Sequence, residues 1–274
     1  MIEPVVLPDV QQAEDLRGIE LWKVGVKKFE IPIQLTQKDG NKQTVHAFAT
    51  MSVGLSKSRK GVHMSRFVLQ LSEWSRSRVF ELDLRPFLQE AMERLDAQSA
   101  HVELDFRYFI EKKAPVTGLS APMAYGCKFD ASITGNGIEE DYRFVLSVAV
   151  PIGNLCPCSK EISDYGAHNQ RAFIRAQALL DSTPNAPVVW IEDLVSGLEE
   201  AASCPVYPFL KRPDEKHVTE TQYENPKFVE DVIRDATLVL RDFPGIRGFS
   251  LEVEAFESIH DHNAWAAHRE NFHG

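Results

Sequence analysis

The pattern that most constrains how this chain can fold is an alternation of apolar and polar residues that recurs in separate segments. Every second residue from Val102 to Ile110 is apolar, which is typical of a β-strand with one buried face. Residues 21–33 alternate in the same way, and a slip of phase after Lys28 predicts a β-bulge. The apolar face of such strands must be covered by other elements of the chain.

The first half of the chain predicts two strands, two helices and two further strands. A turn signal at residues 39–42 predicts a hairpin between the first strand and a second strand at 44–55. Apolar residues at helical spacing predict helices at 64–71 and 84–95. Residues 123–134 are the expected partner of the alternating strand described above.

A second series of strands and helices, in a similar order, is predicted after a turn at residues 134–137. The expected elements are strands at 141–151, 172–180 and 249–253, a helix at 191–198, and a longer helix with Asn225 as N-cap and Pro226 as first helical residue. The chain therefore predicts an α+β fold of two ββααββ modules in tandem, with antiparallel sheets and helices on one face. The expected division is an N-terminal arm at 1–20, a first module at 21–136 and a second module at 137–274 that carries most of the candidate catalytic residues.

The composition excludes several classes of function. The formal charge of −10 argues against a general nucleic-acid binder, because contacts with a phosphate backbone need a basic surface. The N-terminus lacks the features of a signal peptide, and no apolar run approaches the roughly 18 residues of a membrane span. Four cysteines are too few for a disulfide scaffold in 274 residues, so we expect reduced thiols available to a metal or to catalysis. We therefore expect a cytoplasmic protein with neither nucleic-acid nor membrane partners.

The most informative segment is residues 154–171, which places Cys156, Cys158 and His168 just after a predicted strand. Thiolate and imidazole ligands suit zinc, iron and manganese in varying degree. A structural zinc site normally has four protein ligands, whereas a catalytic site leaves one position open for water. The segment is consistent with a catalytic metal, and two buried thiols without a metal are the alternative.

A second segment, residues 55–67, concentrates positive charge between a predicted strand and a predicted helix. Helix N-termini and basic side chains together hold phosphate groups. The alternative is a solvated basic loop. The candidate phosphate ligands are Lys57, Arg59, Lys60, His63 and Arg66.

Two later segments contain titratable residues that physical reasoning alone would not single out. Glu215 falls in a charged stretch expected to be a loop, and Glu230 lies off the apolar stripe of its predicted helix. Both are then expected to be solvent-facing carboxylates. His260 follows the last predicted strand, where an imidazole that titrates near neutral pH can reach a cleft, and a surface role is the alternative.

Together these segments resemble the prokaryotic GTP cyclohydrolase type IB family. The most specific match is CPCSKEISDYGAHNQR, and SKSRKGVHMSRF, RPDEK, YENPKFVED and ESIHDHNA occur in the same order as in the family. The resemblance extends over nearly the whole chain, from about Lys23 to the end. It implies a tunnelling fold, in which ββααββ modules assemble into barrels with helices outside, and a homotetramer with active sites between subunits.

The resemblance also implies an activity and the residues that serve it. The activity is hydrolysis of GTP to 7,8-dihydroneopterin triphosphate and formate, the first step toward tetrahydrofolate, with one divalent ion (Mn, Zn or Fe(II)) per site and no organic cofactor. The implied metal ligands are Cys156, His168 and Glu215. Glu230 would anchor the guanine edge, Cys158 and His260 would be catalytic acid and base, and the basic residues named above would hold the triphosphate.

Two other functions use a similar set of residues. A nitrile reductase of queuosine synthesis, also a tunnelling-fold enzyme, would use a cysteine nucleophile and NADPH without a metal. A non-catalytic GTP-binding protein would use the same guanine anchor and basic loop. The paired thiols and His168 favour the hydrolase.

Overall fold

The computed structural model describes residues 9–77, 80–135 and 140–273. Within these ranges the strands are β1 (Leu21–Thr36), β2 (Lys42–Leu55), β3 (Ser99–Lys113), β4 (Ser120–Thr134), β5 (Asp141–Leu155), β6 (Asn169–Leu180), β7 (Cys204–Pro205), β8 (Ile246–Ala255) and β9 (Ala264–Glu270). The helices are α1 (Met64–Ser77), α2 (Phe80–Leu95), α3 (Pro157–Ile162), α4 (Ile191–Glu200), α5 (Arg212–Glu224) and α6 (Val229–Arg241). No helix of the described chain is both long and apolar enough to cross a membrane.

The strands pair in the order β1-β2-β3-β4-β5-β6-β8-β9, and the two-residue β7 pairs with β5. The pairs β1–β2, β5–β6, β6–β8 and β8–β9 are antiparallel. Helix α1 packs against β1, α2 packs against β1 and β2, and α6 packs against β8 and β9. The predicted α+β class, with antiparallel strands and helices on one face, is confirmed.

The chain forms two compact units. The first contains Lys42–Asp105, the chain before it up to Thr36, and Phe129–Arg143; the second contains Gln37–Asn41, Phe106–Lys128 and the chain from Phe144 onward. Strands β3 and β4 therefore contribute to both units. The expected boundary between residues 136 and 137 and the first eight residues of the expected arm lie outside the described residues.

The predicted hairpin at the start of the fold is confirmed in detail. The β1–β2 register shifts between Val26 and Phe29, where Lys28 has a φ of 57°. This left-handed residue absorbs the extra position of the bulge that the slip of phase predicted. The hairpin turn closes through Gly40, whose φ of 85° is accessible at little cost to glycine.

The helix expected from Asn225 begins later, and that prediction was wrong. Asn225 is the C-cap residue of α5, and α6 begins at Val229. The Asn225 amide donates hydrogen bonds to the carbonyls of Ala202 and Ser203, at 3.0 and 3.1 Å, so it is not available to cap a helix. The start of α6 is stabilised instead by the Asp231 side chain, which accepts from the backbone N–H of the N-cap residue at 3.0 Å.

The second series of strands and helices contains more elements than the sequence pattern predicted. The stretch expected to be a charged loop around Glu215 is helix α5, and a short helix, α3, follows β5. The strand expected to be the last one, β8, is followed by β9 at the edge of the sheet.

Candidate active site

The ends of β5 and β6 bring Cys156 and His168 together. The last pair of the β5–β6 ladder is Leu155 with Asn169. One residue further, the backbone N–H of Cys156 donates to the carbonyl of His168 at 3.1 Å. The strand register therefore places the thiol and the imidazole side by side, although twelve positions separate them in the sequence.

Ser159 ties the two residues together from the first turn of α3. Its hydroxyl donates to the carbonyl of Cys156 at 3.1 Å and accepts from the backbone N–H of His168 at 3.2 Å. Its own backbone N–H points to the Cys156 sulfur at 3.5 Å, so the thiol side chain caps α3. Cys156 is half-buried, whereas Cys158 is exposed on α3.

The imidazole of His168 is held through one of its two nitrogens. Nδ1 lies 3.0 Å from Gln170 Oε1, 3.5 Å from Ser258 Oγ and 4.0 Å from Glu257 Oε2. Among the described residues, Nε2 of His168 has no hydrogen-bond partner. The nitrogen without a partner is the one available to a ligand.

His260 lies in the connection that follows β8. Phe256 continues the pairing with β6, because its N–H donates to the carbonyl of Arg171 at 2.9 Å. This contact directs the following residues toward His168, which Ser258 approaches. His260 itself is exposed and stacks on His262, with 5.1 Å between the ring centroids.

Helix α5 carries Glu215 on its first turn, exposed to solvent. The far end of the helix is fixed to the strand ends by Gln222, whose Oε1 accepts from Asn169 Nδ2 at 2.9 Å. Gly153 permits this close approach, because a Cβ at that position would lie 2.2 Å from Gln222 Nε2.

Asp214, next to Glu215, fixes the near end of α5. Its carboxylate accepts from the N–H groups of Val116 and Thr117, from the Thr117 hydroxyl and from the N–H of Lys211, at 2.8–3.0 Å. Burial alone would raise the pKa of this carboxyl, but these hydrogen bonds lower it to about 2. Sequence reasoning missed Asp214; an acidic residue three positions after the N-cap, where its side chain accepts from the N-cap backbone N–H, is the signal that could have identified it.

The start of α6 also lies against the end of β5. The backbone N–H of Lys227 donates to the carbonyl of Leu155 at 3.1 Å, one residue before Cys156. Glu230 is exposed on the first turn of α6, off the buried stripe, as the sequence predicted. Within the described chain its carboxylate makes no hydrogen bond or ion pair, so it is available to a ligand or to a second chain.

Within the first unit, three of the five basic residues predicted to hold phosphate make contacts within the fold. Arg59 Nη1 donates to the carbonyls of Leu95 and Asp96 at 3.0 and 2.9 Å. Arg66 donates to the carbonyl of Arg94 at 2.8 Å, and His63 Nε2 lies 3.0 Å from Asp9 Oδ2. The side chains of the other two, Lys57 and Lys60, are exposed and make no hydrogen bond or ion pair with any described residue.

A buried polar network in the second unit was not predicted from the sequence. Glu199 Oε1 accepts from Lys112 Nζ at 2.5 Å and from the Tyr125 hydroxyl at 2.9 Å. Cys204, on β7, is close enough for its thiol to interact with both charges, and burial raises its pKa to about 11. Because Cys204 pairs with Gly153 on β5, this network lies next to the strand that leads to Cys156.

A second group of possible metal ligands lies in the first unit. His101 Nε2 is 3.0 Å from Asp130 Oδ1 and 3.7 Å from Glu103 Oε1. The ligand atoms of the three residues all lie within 4.8 Å of one another, so the group could hold a metal ion. However, Lys23 Nζ lies 3.4 Å from the same Nε2 and already supplies a positive charge there. Sequence reasoning missed this group, although His101 and Glu103 occupy the polar face of the alternating strand.

The described part of the chain contains no other group of three such ligands gathered within 4.8 Å.

Of the three predicted metal ligands, the structure brings Cys156 and His168 together, and no hydrogen bond or ion pair connects Glu215 with either of them. The donor types still fit a divalent ion, because a thiolate, an imidazole and a carboxylate together suit zinc, manganese or iron(II). The unpartnered Nε2 of His168 supports this fit.

The fold resembles that of urate oxidases. Uricase from Arthrobacter globiformis aligns with a TM-score of 0.54 over 92% of this chain and 95% of its own, at 8% identity. Urate oxidase from Bacillus subtilis 168 aligns with a TM-score of 0.52 over 90% of this chain and 98% of its own, at 7% identity. At such low identity the likeness shows the fold alone, and the molecule is a tunnelling-fold protein.

Sequence comparison identifies the family within that fold. The family model described as Type I GTP cyclohydrolase folE2 matches residues 7–266. The GTP cyclohydrolase FolE2 of Geobacter sulfurreducens is 47% identical over 261 residues, which are 95% of this chain and 97% of the relative. That of Syntrophobacter fumaroxidans is 48% identical over 261 residues, 94% and 97% of the two chains. The chain belongs to the type I GTP cyclohydrolase FolE2 family, which confirms the family that the motifs predicted.

Proposed function

We propose that this enzyme hydrolyses GTP to 7,8-dihydroneopterin triphosphate and formate, the first step toward tetrahydrofolate. Family membership over almost the whole chain supports the activity. The observation that carries the proposal is the pairing of Cys156 with His168 at the ends of β5 and β6, with Nε2 of the imidazole open. This arrangement provides two ligands of different softness beside a strand end.

The site would hold one divalent ion, either manganese, zinc or iron(II), through Cys156, His168 and Glu215. Such an ion supplies the Lewis acidity that makes water a nucleophile near neutral pH. Burial raises the pKa of the thiol of Cys127 to about 12, so that cysteine does not compete as a ligand. All four cysteines are free thiols, and we propose the reducing cytoplasm as the compartment in which they stay reduced.

The substrate would be recognised at its two ends by different residues. Glu230, exposed and without a hydrogen-bond partner among the described residues, would accept two parallel N–H bonds from the guanine amide and amine. Lys57 and Lys60 are the best candidates for the triphosphate, because their ammonium groups are exposed and make no hydrogen bond or ion pair with any described residue. Arg59, His63 and Arg66 would act mainly by shaping the segment that carries them.

Proton transfer would involve Cys158 and His260. Both are exposed on the segments that flank His168, Cys158 on α3 and His260 in the connection after β8. An imidazole can donate and accept protons near neutral pH, which suits protonation of the purine nitrogens during ring opening.

We further propose that the enzyme is a homotetramer whose active sites lie between subunits. Large apolar side chains around the site are exposed in the single chain, with Tyr165 at 100% and Ile162 at 83%. Strands β1 and β9 end the pairing order and also expose Trp22 and Trp265. Light scattering gives the oligomeric state, and a monomer at assay concentration would contradict the proposal.

Shared sites also predict complementation between inactive variants. If Glu230 and Cys156 of one site belong to different subunits, unfolding and refolding Glu230→Gln together with Cys156→Ala restores formate release. The restored activity should reach at most about a quarter of the parent value for random mixing of subunits. No recovery from correctly assembled mixed tetramers would show that one chain supplies both residues.

The decisive assay for the function uses chelator-treated protein, GTP, and either Mn²⁺, Zn²⁺ or no metal. Metal-dependent release of formate together with pterin fluorescence would establish the activity. Cys156→Ala should abolish both products, and Cys127→Ala, a buried thiol in β4, is the matched control. If no divalent ion supports turnover, the cyclohydrolase assignment fails. Reduction of a deazaguanine nitrile with NADPH would then support the nitrile reductase, and GTP binding alone would support a non-catalytic protein.

A further inference from the structure

The side chains around His168 determine which nitrogen of its ring carries the proton. Gln170 Oε1, at 3.0 Å, is the nearest partner of Nδ1. Ser258 Oγ at 3.5 Å and Glu257 Oε2 at 4.0 Å lie on the same side of the ring. An amide oxygen can only accept a hydrogen bond, so Nδ1 must donate to Gln170.

The direction of the Gln170 amide is itself fixed by Glu257. The two ends of an amide have the same shape, so its orientation has to be inferred from the partners. Glu257 Oε1 lies 3.4 Å from Gln170 Nε2. A carboxylate only accepts, so the NH₂ group must face Glu257 and the oxygen must face His168. The lone pair of the neutral imidazole is therefore left on Nε2.

The strand register explains why these three residues meet. His168 immediately precedes β6 and continues its pairing with β5 through the N–H of Cys156, and Gln170 is two positions further on, so the two side chains lie on one face. The β6–β8 ladder ends with Ala172 opposite Ala255, and the Phe256 N–H extends it to Arg171. The next residue, Glu257, is thereby placed beside Gln170.

We propose that Gln170 and Glu257 are positioning residues, which hold His168 as the Nδ1–H tautomer and present Nε2 to the divalent ion. The inference rests on the proposed function only in taking His168 as a metal ligand. A chain from carboxylate to amide to imidazole both orients the ring and raises the basicity of the free nitrogen. Removing a partner of this kind typically lowers metal affinity about 10- to 100-fold.

Zinc binding provides the first test. Gln170→Met keeps the length of the side chain and removes the acceptor, so we expect the dissociation constant for Zn²⁺, measured by competition with a chromophoric chelator, to rise about 10- to 100-fold. Glu257→Gln keeps the shape and lets the Gln170 amide reverse, and we expect a smaller rise. Gln177→Met, at an exposed position of the same strand, should bind as the parent does.

The tautomer itself is the second test, because a merely structural role would not change it. In deuterated, metal-free protein with labelled histidine, at pH 8, the ¹⁵N and ¹³Cδ2 shifts of His168 should report a proton on Nδ1. The resonance is assigned by its loss in His168→Ala. In Gln170→Met the Nε2–H tautomer should become populated.

Three results would overturn the inference. These are a proton on Nε2 in the parent, unchanged Zn²⁺ affinity in both variants, or a parent protein that binds no Zn²⁺. Neither measurement uses GTP, so the inference and the proposed function can fail separately. Metal binding with the expected tautomer but no formate release would refute the function and leave the positioning role intact.

Discussion

Lys112 and Glu199 form a buried ion pair in the second unit, and removing its two charges one at a time tests how they affect the stability of the fold. Both side chains are only 11% exposed, and Nζ lies 2.5 Å from Oε1. Tyr125 donates to the same carboxylate oxygen. Burial lowers the pKa of Lys112, and the attraction to Glu199 offsets only part of this effect.

The expected magnitudes follow from two opposing energies. At this separation the attraction is roughly 7 kcal/mol for an effective dielectric constant of about 20. Transferring two ions from water costs several kcal/mol each, so the intact pair contributes little net stability. Removing one charge leaves the other buried and unpaired, which costs about 3–5 kcal/mol. We expect Glu199→Gln and Lys112→Met each to lower the free energy of unfolding by about 3 kcal/mol, and the double variant to lower it by only about 0–1 kcal/mol rather than about 6.

Urea unfolding followed by far-ultraviolet circular dichroism, at one protein concentration, measures all four free energies of the cycle. Glu199→Gln retains an acceptor for Tyr125, so the cycle reports the charges. Additive effects, with a coupling energy below about 0.5 kcal/mol, would show that water screens the pair and would refute the argument.

The pH dependence gives an independent check on Lys112. The folded pKa of Lys112 is below the ordinary lysine value of 10.5, so the unfolded chain binds more protons between the two values. The contribution of this group to stability therefore rises with pH up to about 10.5. The difference in unfolding free energy between the parent and Lys112→Met should grow over that interval, and a constant difference would contradict the depressed pKa.

Three further predictions separate structural from functional residues. Arg59→Ala should lower the free energy of unfolding by about 1 kcal/mol, measured in urea, because the half-buried carbonyl of Leu95 and the exposed carbonyl of Asp96 lose their donor. Lys60→Ala should leave the free energy of unfolding unchanged and raise the KM for GTP. The folded pKa of Asp214 is lowered to about 2, so this carboxylate stabilises the fold above its unfolded pKa of 3.8 and loses that contribution as the pH falls toward 2. In Asp214→Asn the free energy of unfolding, measured as a function of pH, should therefore depend less on pH below 3.8 than in the parent. His101→Ala should retain the bound metal and Cys156→Ala should lose it, measured by elemental analysis, and the reverse result would place the ion at the His101 group.

The sequence predicted the strands and helices in which buried residues recur at a regular spacing. Strand β3 alternates buried and exposed positions over most of its length, and α6 buries a continuous apolar stripe. Helix α5 buries only Asp214 and Gln222, so it has no apolar stripe that a pattern could reveal. Strand β9 lies at the edge of the sheet and contains no fully buried residue, and the sequence analysis missed it for the same reason.

Some residues of the candidate site are positioned by contacts close in the sequence, and others by contacts distant in the sequence. The strand register places Cys156 beside His168, and a motif within one short segment was enough to predict both. The position of Glu215 depends on α5, which Asp214 anchors to residues 116–117 and Gln222 anchors to β6. These partners are distant in sequence, so no local pattern encodes them. Because these two anchors hold α5 at both ends, contacts that are distant in the sequence fix the backbone from which the Glu215 side chain extends.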